Sequence, residues 1–124
     1  MSQNTRVLAV SNDMFFMPQV EAAAKAAGYR FEWLETPFTE AEFTAHLAAQ
    51  PTALVVLDLN TGLPWPHWLP AAKAQAATAA IPWLAFGSHL KPRRLAAARH
   101  AGATKAVPKS QFAETLQAML AQSA

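Results

Sequence analysis

Four features of this sequence have the residue types and placement to do chemistry: Asp13, Asp58, the Gly87-Ser88-His89 triplet and Lys109. Asp58 closes the run Ala53-Leu54-Val55-Val56-Leu57, whose unbroken apolar character reads as a strand buried on both faces. An ionised carboxylate is costly inside such a sheet, so Asp58 is predicted at its carboxyl-terminal edge, in reach of water or a cation. Asp13 closes Ser11-Asn12-Asp13, a polar cluster following the apolar run Arg6–Val10, and could either cap the next helix or bind a cation. Gly87-Ser88-His89 follows the apolar run Trp83–Phe86 and could offer donors to an anion ahead of a helix. Adjacent Ser and His side chains seldom align for proton transfer, so the triplet does not argue for a hydrolase. His46, His67 and His100 lack metal-ligand spacing, and the absence of cysteine removes thiolate sites and disulfides.

These groups need a scaffold that brings strand ends together. The first strand is Arg6–Val10, and the first helix begins near Pro18, buries Val20, Ala23, Ala24 and Ala27, and stops at Gly28. Tyr29–Leu34 alternates aromatic and charged residues, as a half-exposed edge strand does. Thr39-Glu40-Ala41-Glu42 has capping-box spacing, which predicts a second helix to about Gln50, before Pro51. After Asp58's strand, the prolines between Asn60 and Pro70 predict a long aromatic loop, and alanine richness predicts a third helix over Ala71–Ala80. Trp83–Phe86 is the fourth strand. Pro92 opens a fourth helix with Leu95, Ala96 and Ala98 inward, and Gly102 closes it. A short fifth strand, Ala106–Pro108, leads through Lys109 and a Ser110 N-cap to a last helix with Phe112, Leu116, Met119 and Leu120 inward.

Strands alternating with helices predict an α/β fold, a flavodoxin-like doubly wound parallel sheet of five strands in the order 2-1-3-4-5 with helices on both faces. In that order the first and third strands meet at the switch point, so Asp13 and Asp58 should converge, with Gly87, Ser88 and Lys109 around them. The 124 residues, 52% of them hydrophobic, suit one domain over 1–124. No apolar run approaches the roughly 20 residues of a membrane helix and the N-terminus lacks signal-peptide features, so a cytoplasmic protein with no membrane partner is expected. Charge is polarised: residues 1–62 carry three basic and seven acidic side chains, a balance of −4, and the remainder carries seven and one, a balance of +6. The basic residues fall mainly on helix faces and turns, so nucleic acid is not the expected partner.

Two carboxylates at strand ends, a hydroxyl residue after the fourth strand and a lysine after the fifth together resemble the receiver domain of bacterial response regulators, the CheY-like superfamily. Leu54-Val55-Val56-Leu57-Asp58 matches the family's apolar strand and phosphoacceptor, and Ala101-Gly102-Ala103 through Val107-Pro108-Lys109 matches its Ala-Gly-Ala and strand-five lysine. The resemblance implies Asp58 as nucleophile toward a phosphoryl group and magnesium held by Asp13, Asp58 and the backbone of Asn60. It places Lys109, Ser88 and Gly87 around the phosphate and makes a histidine kinase or other signalling protein the partner. Departures are also legible. The family's acidic pair becomes Ser11-Asn12-Asp13, which predicts weak magnesium binding or none; Ser88 stands one place after the expected hydroxyl; Ala106 replaces the usual aromatic; and Ser110 follows Lys109 where the family has proline. The resemblance therefore implies an atypical receiver acting through protein contacts, with phosphorylation at Asp58 compromised; the alternative is an active magnesium-dependent phosphotransfer receiver. No output domain is expected to follow, so the signal is expected to leave by contact, through a homodimer or another protein, with Trp65, Trp68, Arg93 and Arg94 as surface candidates. The same tryptophans could instead be packing residues.

Overall fold

In the computed structural model, which describes residues 4–123, five parallel strands form one sheet. They are β1 (Arg6–Val10), β2 (Arg30–Leu34), β3 (Thr52–Asp58), β4 (Trp83–Gly87) and β5 (Lys105–Pro108), in the order β2-β1-β3-β4-β5. The helices are α1 (Met17–Ala26), α2 (Glu40–Ala48), α3 (Trp65–Ala74), α4 (Pro92–Ala101) and α5 (Lys109–Ser123). Residues 1–3 and 124 of the expected domain lie outside the described residues.

The non-alternating apolar runs follow from burial on both faces, because successive strand side chains point to opposite sides. Leu8, Val10, Val55, Leu57, Trp83 and Ala85 join one core with Phe43, Trp68, Leu69 and Leu95 from α2, α3 and α4. Val7, Ala9, Leu54, Val56, Leu84 and Phe86 join the other with Val20, Phe112 and Leu116 from α1 and α5. Strand β2 keeps its charged and aromatic side chains partly exposed, as its alternating edge pattern predicts.

Local signals explain most boundaries. Thr39 caps α2 through a complete capping box, its hydroxyl accepting from Glu42 N at 3.1 Å and the Glu42 carboxylate accepting from Thr39 N at 2.8 Å. Gly102 ends α4 at φ 120°, a conformation that side-chain-bearing residues rarely adopt. Within α4, Leu95 and Ala98 are buried as expected, but Ala96 is exposed.

Helix α3 corrects the sequence expectation. It begins at Trp65 and ends at Ala74, not Ala71 to Ala80. Pro66 falls in the first turn, where a backbone N–H has no helical partner, and Pro70 is exposed to solvent within the helix. Past Ala74 the alanine preference yields to side-chain bonds: Thr78 Oγ1 donates to Ala72 O at 2.6 Å, and Lys73 Nζ donates to Ile81 O at 2.7 Å and Ala79 O at 3.2 Å. The early start gives Trp65, Trp68, Leu69 and Ala72 one buried helical face. Trp68 is fully buried, stacks on Phe43 at 4.5 Å between ring centroids, and donates its indole N–H to Phe38 O. Trp65 and Trp68 are therefore core residues, which corrects their expected place on a contact surface.

Candidate functional site

Parallel register sets the site. Val10 of β1 pairs with Leu57 of β3, so the next residues along each strand, Ser11 and Asp58, emerge side by side at the carboxyl edge. Ser11 Oγ donates to Asp58 Oδ2 at 2.8 Å, and Asn60 N donates to Asp58 Oδ1 at 2.9 Å. Both side chains are interior: Ser11 is 0% and Asp58 5% exposed. The Ser11 hydroxyl also accepts from Asp13 N at 2.9 Å, and the Ser11 carbonyl accepts from the Trp33 indole N–H at 2.7 Å. A carboxylate this buried requires donors, and the two it has are neutral.

The β3–α3 loop is held from both sides. Asn12 Oδ1 accepts from Thr61 Oγ1 at 2.6 Å and from Gly62 N at 3.3 Å. Arg94 reaches over from α4, donating to Asn60 Oδ1 at 2.9 Å and to Leu59 O at 3.5 Å. Arg93, its neighbour, is exposed. Gly87 packs closely on the same loop, where an added Cβ would meet the Leu59 Cβ at 3.3 Å.

Asp13 lies two residues beyond the rung shared by Ser11 and Asp58. Its Oδ1 accepts from Phe15 N at 2.9 Å and Phe16 N at 3.0 Å, ahead of α1, and its Oδ2 lies 3.6 Å from Lys109 Nζ. Lys109 also sits over the Phe16 ring, 4.9 Å from the centroid. Lys109 thus turns toward Asp13 and Phe16. Ser88 Oγ accepts from Leu90 N at 3.1 Å, a local turn in the β4–α4 loop.

The side chains at this edge leave few carboxylate oxygens unengaged for magnesium. That ion demands near-octahedral oxygen ligands and carboxylate charge. Here both Asp58 oxygens accept protein hydrogen bonds, both Asp13 oxygens face amides or Lys109, and the Asn12 oxygen holds the loop. Among the described residues, no group of three His, Cys, Asp or Glu side chains is arranged to hold a metal. No helix among them is long and apolar enough to cross a membrane.

The roles of three residues were not read from the sequence. Ser11 and Asn12, noted as part of a polar cluster, become the direct partners of Asp58 and its loop; the signal was their position immediately after the strand. Arg6 was read only as the start of an apolar run. It is fully buried at the opposite edge, where its guanidinium bonds Glu32 Oε1 at 2.8 Å, Thr52 Oγ1 at 2.8 Å and the carbonyls of His46 and Leu47 at 3.2 Å.

No protein-family model matches this sequence, and no curated protein does. Solved structures do. The chain is similar to the chemotaxis protein CheY4 of Vibrio cholerae at 21% identity and TM-score 0.74, covering 97% of this chain and 98% of that one. A response regulator protein from Burkholderia multivorans is similar at 26% identity and TM-score 0.71, with 95% and 93% covered. The receiver domain of a sensor histidine kinase from Pseudomonas aeruginosa is similar at 15% identity and TM-score 0.73, with 95% and 98% covered, and that structure has a magnesium ion coordinated in its active-site cleft. The chain has the CheY-like, flavodoxin-like fold of response-regulator receiver domains.

Proposed function

We propose that this chain acts in two-component-type signalling as an atypical receiver that works through protein contacts, with a histidine kinase or another signalling protein as partner and with phosphorylation at Asp58 suppressed. The observation that carries this reading is the Ser11 hydroxyl on Asp58 Oδ2 at 2.8 Å, in the cluster that stands where the resemblance places an acidic pair. Phosphoryl transfer to a carboxylate brings an anionic nucleophile to an anionic donor, and catalysis consists almost wholly of positioning and charge neutralisation. Ser11 and Asn60 position Asp58 but bring no cation to it, and each hydrogen bond they donate draws on the lone pairs that attack would use. Lys109, the implied phosphate partner, rests against Asp13. Asn12 and Arg94 hold the loop after β3 through their own hydrogen bonds.

The test is incubation with acetyl phosphate and magnesium, followed by intact-mass measurement. No phosphoryl adduct is expected. An adduct that forms readily and is abolished by Asp58→Asn would instead establish the active phosphotransfer receiver, with Lys109, Ser88 and Gly87 around the phosphate.

A further inference from the structure

The large hydrophobic side chains that stand exposed among the described residues are Met14 at 65%, Phe15 at 87% and Leu90 at 77%. Met14 and Phe15 lie between β1 and α1, and Leu90 between β4 and α4, so all three belong to the carboxyl edge, as Asp58 does. Charge on that edge is divided. At the β2 end stand Glu35, Glu40 and Glu42, all exposed, the last two in the first turn of α2. At the β4 end Leu90, Lys91, Pro92, Arg93, Arg94 and Ala97 line an open groove of about 630 Å³. No acidic residue lies in the first turn of α4 and no side chain caps it, so its positive helix end and its cations lack a negative counterpart there.

These features are mutually complementary under twofold symmetry. On one face of the sheet α3 packs between α2 and α4, and in the sheet β3 lies between β1 and β4. A twofold axis along the sheet normal near β3 would set the acidic start of α2 against the basic start of α4 in a second copy. The same axis would set Met14 and Phe15 against the partner's β4–α4 loop and its Leu90. Both contacts occur twice, as an isologous interface requires. We infer that the carboxyl edge is a self-association surface, occupied by a second copy of this chain, which covers the mouth of the Asp58 site. This holds whether or not Asp58 accepts a phosphoryl group, since the surface is built from side chains outside the site's hydrogen bonds, Arg94 excepted.

Sedimentation of the purified chain over a range of concentrations tests it. A dimer is expected, and raising salt to about 0.5 M weakens it by screening the charge pairs. Two variants avoid the capping box and the loop clamp: Glu35→Lys with Glu40→Lys, and Lys91→Glu with Arg93→Glu. Each alone is expected to self-associate at least about tenfold more weakly, since its two ends now repel their counterparts. Mixed one to one, they should restore a heterodimer. Phe15→Asp should also weaken the dimer while leaving the circular dichroism spectrum unchanged. A chain that stays monomeric at every concentration would overturn the inference and leave this edge to a different protein. So would a dimer unaffected by both charge reversals, or reversals that do not pair on mixing.

Discussion

The Ser11 hydroxyl does for Asp58 what a cation does elsewhere: it satisfies a buried carboxylate, though without neutralising its charge. Restoring the acids should reverse the arrangement. Ser11→Asp with Asn12→Asp sets carboxylates beside Asp58, and their mutual repulsion makes the ion-free double variant less stable than the natural chain. A divalent cation that binds only the folded state then raises its melting temperature. Millimolar magnesium is thus expected to lift the Tm of the double variant by several degrees and leave that of the natural chain unmoved; equal shifts in both would show that Ser11 and Asn12 do not decide binding. The cluster around Arg6 makes a separate prediction. Burial alone would push the Glu32 carboxyl up, but hydrogen bonds from Arg6 and His46 and the positive charge they bring outweigh it and hold the carboxyl below its usual range. A folded-state pKa lowered in this way contributes stability that is complete above the unfolded value and is lost as pH falls through the folded one. Glu32→Gln should therefore be less stable than the natural chain near neutrality, with the gap in urea midpoint closing below about pH 4. A gap that stays constant down to acid pH would remove Glu32 from the account.

Elements differ in how strongly local chemistry specifies them. The capping box of α2 and the proline-to-glycine span of α4 were legible because caps act within a few residues. Helix α3 was not, because its prolines argue against helix by propensity while the burial of Trp65, Trp68 and Leu69 argues for it, and packing won. The register between β1 and β3 was likewise invisible. Pattern places both strands, but only pairing decides whether Ser11, Asn12 or Asp13 stands beside Asp58. Where α4 ends, sequence and packing agree. Gly102 has positive φ, and a Cβ there would come within 2.9 Å of the Lys73 Cγ. That side chain cannot simply swing away, since its ammonium is tied to Ala79 O and Ile81 O. Gly102→Ala is expected to cost about 1–3 kcal/mol in chemical denaturation, from backbone strain and crowding together. A cost within about 0.5 kcal/mol would mean that the α3–α4 junction yields more easily than its hydrogen bonds imply.

At the scale of the whole molecule, alternating strand and helix signals carried the sheet order and the meeting of the first and third strand ends at its carboxyl edge, because few chiral, short-looped topologies satisfy that alternation. Asp58 was legible for the same reason. What the fold adds is how its neighbours are spent: Asn12 on the loop, Asp13 on α1 and Lys109, Arg94 on Asn60, Ser11 on the carboxylate itself. The central proposal is that neutral hydrogen-bond donors clasp the Asp58 carboxylate and that this edge is not a divalent-cation site. A magnesium titration of the natural chain to about 10 mM, followed through the backbone amide resonances of Asp58, Asn60 and Thr61, tests it most directly. The account predicts small, linear drifts with no saturation. Saturable shifts at these amides at or below about 1 mM would contradict it.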